Sequence, residues 1–258
     1  MTDTSTGGTA SASTADDYDH VAPYYDTLTA ALPETNETVD FIAAHAGSGR
    51  VLELGVGTGR VACPLSLRGY DVTGLDNSAG MLARLRSRSD GAKVNIALGS
   101  FTDPPVEGEF TLVYAVFNTL FCVINQDEQL RAIEQAAKRL TPEGTLIIET
   151  DLPDLARSDS SGRTLNTGGV ERNRVFIEAA MHDAATQRIR TQTIIVSEQG
   201  IQMFPLMMRY FWPSELDLMA KLAGLRLDAR YGDWHRGPYS RDSSRQISVY
   251  RRADTSDR

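Results

Sequence analysis

Lysine is scarce in this 258-residue chain, with 3 residues against 23 arginines, and the arginines are scattered among 34 acidic residues that leave a formal charge of −8. A nucleic-acid face needs clustered cations that displace counterions from phosphates, so DNA and RNA are not expected partners and a small molecule is. Cysteine is scarcer still: Cys63 and Cys122 stand in apolar runs, with no C-x-x-C pair and no neighbouring histidine. That argues against a disulfide framework and against a structural metal site, and no metal is expected. Long apolar runs are missing too. The longest, Leu112 to Ile124, is too short to span a bilayer and is interrupted by Asn118, so no membrane partner is expected. The opening "MTDTSTGGTASASTA" has neither the basic nor the apolar segment of a secretory signal and has the composition of a disordered tail. The compartment expected is the reducing cytoplasm.

What remains reads as one α/β domain over residues 16–252, between tails at 1–15 and 253–258. Tyr18 to Leu32 reads as short helices. Asn36 is the expected cap of a helix that stops at Gly47, and Val51 to Leu54 is a short strand. A helix from about Thr58 to Arg68 should bend at Pro64. "YDVTGLD" is a second strand ending at Asp76, and Ser78 caps the next helix. "KVNIAL", "FTLVYAVF" and "TLIIET" are further strands, with a helix from Gln126 to Leu140 before the last. This alternation calls for a parallel sheet with helices on both faces.

The pattern then changes. Residues 151–171, "DLPDLARSDSSGRTLNTGGVE", are polar and Gly/Ser-rich, and read as either a lid or a mobile insertion. Three closely joined β-like runs follow, "RVFIEAAMH", "RIRTQTIIVSE" and "IQMFPLMMRYF", so an antiparallel segment is expected over about 171–212. Its Phe204, Met207, Met208, Tyr210, Phe211 and Trp212 would roof a hydrophobic acceptor, or else fill a core or a homodimer contact. "PSELDLMAKLAGL", with Ser214 as cap, is a final helix, and "RLDARYG" and "ISVYRR" a closing strand pair.

The chemistry starts at "VLELGVGTGR", Val51 to Arg60. A nicotinamide dinucleotide reading has some support: Gly57, Gly59 and Ala62 fit G-x-G-x-x-A, with Asp76 standing 19 residues past Gly57 for the ribose. However, Gly57 lies three residues beyond the strand end at Leu54, and the earlier frame from Gly55 puts the bulky Arg60 where close packing asks for Gly or Ala. Glu53 would also add negative charge beside a pyrophosphate. S-adenosylmethionine carries no phosphate and presents an ammonium and a sulfonium. An acid ahead of the glycines suits such a cation.

"LELGVGTGR" followed by "VTGLDNSAGML" resembles the class I S-adenosylmethionine-dependent methyltransferases, small-molecule type, in which acid-x-Gly-x-Gly-x-Gly precedes an acid that ends strand two. The likeness extends over Tyr18 to Arg251 and implies a Rossmann-like, seven-stranded, mostly parallel sheet with helices on both faces, plus the inserted antiparallel segment. It also implies that Glu53, Gly55, Gly57 and Gly59 line the methionine moiety, that Asp76 holds the ribose and that Asn77 lies against the adenine. Ser100 and Phe101 would meet the adenine ring, Tyr25 and Arg60 would reach the methionine end, and Val116 and Phe117 would pass under the amino group. Two departures stand out: Ser100 replaces a common Asp, and Thr111 an acid at the start of strand four.

The activity implied is methyl transfer from S-adenosylmethionine, leaving S-adenosylhomocysteine, to an oxygen or nitrogen of a small secondary-metabolite acceptor, with carbon left open. Much of the barrier to in-line transfer falls to alignment, and a base is optional. In the loop Asp233 to Arg245, His235 is the best candidate base, with Trp234 and Arg236 beside it as acceptor contacts; the alternative is an exposed loop histidine. Asn118 and Tyr210 are further acceptor-side candidates, Asn118 having a turn-forming amide as its alternative. His45 and His182 read as structural, and His20 as part of the N-terminal cover, with a place on the acceptor pocket as its alternative. Two rivals remain: a cyclase or isomerase that keeps the cofactor intact, and a nicotinamide oxidoreductase.

Overall fold

The computed structural model describes residues 14–29, 34–153 and 158–253, so most of the two expected tails lies outside the described residues. In chain order the elements are α1 (Thr14–Thr29), α2 (Thr35–Ala46), β1 (Val51–Leu54), α3 (Ala62–Leu67), β2 (Val72–Asp76), α4 (Ala79–Ser87), β3 (Asn95–Leu98), β4 (Phe110–Ala115) and α5 (Gln126–Lys138). Then come β5 (Leu140–Asp151), β6 (Arg163–Val170), β7 (Arg174–Asp183), β8 (Arg188–Ser197), β9 (Gly200–Arg209), α6 (Pro213–Leu222), β10 (Leu225–Tyr231) and β11 (Arg245–Arg252). The main sheet has the order β10-β11-β5-β4-β1-β2-β3. Its pairs are parallel from β5 through β3, and β11 alone runs against the rest, antiparallel to both β5 and β10.

Strand alternation sorts the core into two layers. Leu52, Leu54, Val113 and Ala115 face one cluster, filled by Ile133 of α5 and Leu216 of α6, while Val51, Leu112 and Ile147 face another, filled by Ile42 of α2, Leu65 of α3 and Leu85 of α4. Burial of this kind is worth about 25 cal/mol per Å² of apolar surface, and it is what fixes the register of each strand. The register has a consequence for the site. Glu53 is paired with Tyr114, and Glu149 with Ile247, so both acids lie on the α2 side of the sheet, at the carboxyl ends of their strands.

Several local expectations are corrected. The N-terminal region is one helix with Pro23 inside it, not short helices. The cap position of α2 is Glu34 rather than Asn36, with no side-chain cap, and that of α6 is Trp212, with Pro213 rather than Ser214 opening the helix. Helix α3 starts only at Ala62, with Pro64 in its first turn; the amides of Cys63 and Leu65 donate to the carbonyls of Gly59 and Val61, and Pro64 between them has no N–H to give. Residues 151–171 are not one loop: 154–157 lie outside the described residues, and Arg163–Val170 is an edge strand. The inserted unit is a four-stranded sheet, β6-β7-β8-β9, with Pro205 on its other edge strand, where its missing N–H costs no ladder bond.

This inserted sheet covers the carboxyl end of the main sheet. Phe204 packs its ring against His20 and Tyr24 of α1 at centroid distances of 5.6 and 5.3 Å. Arg209 anchors the other end. It donates to Gln129 Oε1 (2.5 Å), Gln187 Oε1 (3.0 Å) and Glu215 Oε1 (2.8 Å), and Gln129 in turn donates to the carbonyls of Leu120 and Arg209. Among the described residues no helix is long and apolar enough to cross a membrane.

Candidate active site

A cavity of about 290 Å³ opens at the carboxyl ends of β1, β2 and β4, roofed by α1. It is built from the turn after β1. Gly55 (φ 70°) and Gly57 (φ 55°) adopt left-handed backbone that an L side chain resists. At Gly55 a Cβ would also strike the Thr119 side chain, while at Gly57 it would meet nothing within 4 Å. The Gly57 amide donates to Asp76 Oδ2 at 2.8 Å, which ties the turn to the end of β2. Asp76 Oδ1 also accepts from the Ser78 amide at 2.9 Å. Burial raises the Asp76 carboxyl above its usual range, while the amides of Ser78, Gly57 and Asn77 pull it back.

Glu53 is the second acid. It is buried, accepts the Tyr114 hydroxyl at 2.8 Å, and is pushed up to about 8 by desolvation, with the Tyr114 hydrogen bond and the Arg60 charge opposing that rise. A carboxyl held this way gains most from a cationic neighbour. Arg60 spans the mouth: Nη1 donates to Thr35 Oγ1 at 3.2 Å, and the guanidinium stands 5.4 Å from the Phe117 ring centroid. Tyr18 and Tyr25 come down from α1, the Tyr18 hydroxyl sharing a 3.2 Å hydrogen bond with Cys122 Sγ. Burial raises both phenols above their ordinary value and the Cys122 thiol to about 11.

The residues expected around the cofactor are brought together here, namely Tyr25, Glu53, Gly55, Gly57, Arg60, Asp76, Asn77, Ser100, Phe101, Val116 and Phe117. Gly59 is the exception. It does not line the cavity; a Cβ on it would lie 2.6 Å from Cys63 Sγ, so its role is close packing of α3 and α4 on the turn. The acceptor-side candidates lie elsewhere. His235 is exposed on the β10–β11 loop, and Arg236 stacks 5.8 Å over the Phe41 ring. Trp234 is buried edge-on against Phe41. Tyr210 is buried, with its hydroxyl 3.0 Å from His182 Nε2. Asn118 clasps Asp151, donating from Nδ2 (2.8 Å) and accepting the Asp151 amide (2.7 Å). None of these five lines the cavity.

Their places on the wall are taken by Tyr18, Thr119, Cys122, Val123, Ile124 and Glu128. One signal for Tyr18 lies in the sequence: it precedes Tyr25 by seven residues, two helical turns on one face. The others depend on the short 3₁₀ turn Thr119–Cys122 folding back after β4, which no periodicity announces. Among the described residues no cluster of His, Cys, Asp and Glu is placed to hold a metal.

A Rossmann-like sheet, a glycine turn opening on two buried acids and a helical cover make up a site suited to a nucleoside cofactor. A family model described as a methyltransferase domain matches residues 51–144. The CcbJ methyltransferase of Streptomyces caelestis is 38% identical in sequence, with a TM-score of 0.86 over 92% of this chain and 98% of that one. The cypemycin N-terminal methyltransferase of a Streptomyces species is 27% identical over 239 residues, 91% of this chain and 97% of the relative. CalS10, an amino pentose methyltransferase of Micromonospora echinaspora bound to S-adenosylmethionine, shares the fold at 21% identity and TM-score 0.64, over 85% and 90% of the two chains. The chain belongs to the S-adenosylmethionine-dependent methyltransferases, and S-adenosylmethionine is its cofactor. The nicotinamide reading falls with that assignment. The cavity fits the cationic group, because its buried acids lack a full counter-charge and the open side of Gly57 leaves room for close approach.

Proposed function

We propose that this methyltransferase acts on a nitrogen atom of a small natural-product amine. On this reading Glu53 faces the ammonium of the cofactor, Arg60 its carboxylate, Asp76 the ribose hydroxyls, and Asn77, Ser100 and Phe101 the adenine. The bound cofactor supplies an electrophilic methyl on a sulfonium. The protein's part is to align the acceptor and exclude water.

The observation that carries the choice of nitrogen is the lack of an imidazole on a wall whose carboxylates are Glu53 and Asp76, given to the cofactor on this reading, and Glu128. Among the described residues no histidine lines the cavity, and burial keeps the Tyr18 and Tyr25 phenols and the Cys122 thiol protonated at neutral pH. A hydroxyl or carbon acid would forgo roughly 10²- to 10⁴-fold without a positioned base, whereas an amine only has to lose its proton to water. The name of the cypemycin N-terminal methyltransferase supports the same atom class.

The test pairs small amines with their hydroxyl counterparts, each incubated with the enzyme and S-adenosylmethionine labelled with ¹³C in the methyl group. An N-methyl carbon signal in the product is the expected result. A label on oxygen or carbon overturns the choice of nitrogen, and a changed product with no methyl would favour the cyclase or isomerase rival. A homodimer, one of the alternatives read for the inserted segment, would use the exposed Leu165, Val170, Met181, Ile201 and Met203 of the inserted sheet, and light scattering on the full chain tests it.

A further inference from the structure

Phe117 and Asn118 are consecutive non-glycine residues in left-handed backbone, with φ of 57° and 61°, directly after β4. Such a pair persists only where the surroundings over-determine it. Here the neighbouring strand does so twice. Glu149 Oε2 of β5 accepts the Phe117 amide at 2.5 Å, and two residues on, Asp151 clasps the Asn118 side chain. Glu149 is 4% exposed and does not line the cavity. Its other oxygen lies 4.0 Å from Arg245 of β11, which is itself held by Glu34 at 2.5 Å, so the carboxylate is fixed from behind. The Phe117 ring projects the other way, lines the cavity and stands against Arg60.

We propose that Glu149 is a positioning residue for methyl transfer: by holding the Phe117 amide it fixes the left-handed turn that presents the Phe117 ring to the acceptor side of the cavity. The proposal rests on the reading that Phe117 stands where acceptor and cofactor meet.

Ionisation makes the hold adjustable. Burial pushes the Glu149 carboxyl up to about 7. Asp151 on its own strand adds to the rise, and the Phe117 amide beyond β4, Arg245 on β11 and Arg60 after β1 oppose it. The ionised carboxylate is the stronger acceptor for an amide N–H, so the turn is held more firmly as pH rises through this range.

The first experiment records the Phe117 amide by NMR on ¹⁵N-phenylalanine-labelled protein bound to S-adenosylhomocysteine, with Phe117→Leu identifying the resonance. The amide proton is expected to move downfield with a midpoint near pH 7, and this titration should vanish in Glu149→Gln, whose amide oxygen still accepts but does not ionise. A flat Phe117 resonance in the wild type, or an unchanged titration in E149Q, overturns the proposal. The second experiment uses an amine substrate from the screen above. E149A is expected to lose at least tenfold in kcat/KM with S-adenosylhomocysteine affinity within twofold, and E149Q to recover most of that loss while flattening the acid limb of the pH profile. Equal losses in turnover, cofactor affinity and Tm for E149A, with no recovery in E149Q, would reduce Glu149 to a structural residue. Phe117→Ala separates the two readings: normal kcat/KM in that variant rejects Phe117's place at the meeting point, whatever Glu149 does to its amide.

Discussion

The Tyr114 hydroxyl donates to Glu53 Oε2 at 2.8 Å, the two side chains lying side by side on adjacent parallel strands and both out of solvent. This bond opposes the burial that raises Glu53, so Tyr114 helps decide whether the acid is charged when a cationic ligand arrives. The sign follows directly. With its carboxyl near 8, Glu53 is largely neutral at pH 6 and must release a proton to pair with an ammonium, so affinity for S-adenosylhomocysteine should rise between pH 6 and pH 8. Below pH 8, binding should release up to one proton, read by calorimetry in buffers of different ionisation enthalpy. Tyr114→Phe removes the opposing bond and should weaken binding at pH 7 by about tenfold, roughly 1.4 kcal/mol, with a smaller loss at pH 9. A pH-independent affinity in the wild type would remove Glu53 from the ammonium site.

Gly57 and Gly59 look equivalent in the sequence and differ in the fold. A Cβ on Gly57 meets nothing within 4 Å, whereas on Gly59 it meets Cys63 Sγ at 2.6 Å and Leu85 at 3.1 Å, with φ of 86°. Gly59→Ala should therefore lower Tm clearly, by a cost on the order of 1–3 kcal/mol from overpacking, and weaken the cofactor only in proportion to unfolding. Gly57→Ala should keep Tm closer to wild type and lose cofactor affinity, since its methyl enters the cavity. Paired melting curves and S-adenosylhomocysteine titrations distinguish the two, and a reversed pattern would contradict the assignment of Gly59 to packing.

These glycines show what was legible. The G-x-G-x-G spacing, the acid before it and Asp76 at the end of β2 are local, and the sequence displays them in order. The strand–helix alternation is legible for the same reason, because burial imposes a period on each segment. Strand β6 was not legible: "RTLNTGGV" carries two glycines and lies mostly exposed at a sheet edge, so pairing with β7, not composition, makes it a strand. The start of α3 was less legible, at Ala62 rather than about Thr58, because no residue marks it. The acceptor side was least legible, since its wall comes from a 3₁₀ turn and from Tyr18 on α1, which touch only after folding.

His235 looked chemically apt in the sequence, a histidine in a loop at the carboxyl end of the sheet. The fold leaves its side chain exposed and turns the loop's buried anchor, Trp234, onto Phe41 instead. An exposed imidazole outside the cavity has no route to a proton on the acceptor, and geometry is the first condition for a base. His235→Ala should accordingly keep kcat and KM within about twofold of wild type across pH 6–8. A loss of tenfold or more in kcat with intact cofactor binding would restore it as the base and count against the nitrogen reading.

Helix α1 is fastened over the cavity at two points seven residues apart. Asp19 Oδ1 accepts the Ser78 hydroxyl (2.5 Å) and the Gly80 amide (2.8 Å), and Asp26 accepts the Thr58 hydroxyl (2.6 Å) and pairs with Arg84 (3.1 Å). Tyr18 and Tyr25 sit one residue before each clasp and line the cavity, so the clasps fix how far the phenols reach. The two bonds at Asp26 differ in weight. The Arg84 pair is about 40% exposed on both sides and should contribute little, whereas Thr58 is buried in the glycine turn itself. Asp26→Asn, which keeps an acceptor for Thr58, should leave the dissociation rate of S-adenosylhomocysteine within about twofold. Asp26→Ala should raise that rate about tenfold, corresponding to loss of a hydrogen bond to a charged acceptor, with little change in Tm. Stopped-flow release measurements decide it: equal rates for the wild type and D26A would mean that α1 does not gate the cofactor, and equal losses in D26N and D26A would shift the weight to Arg84.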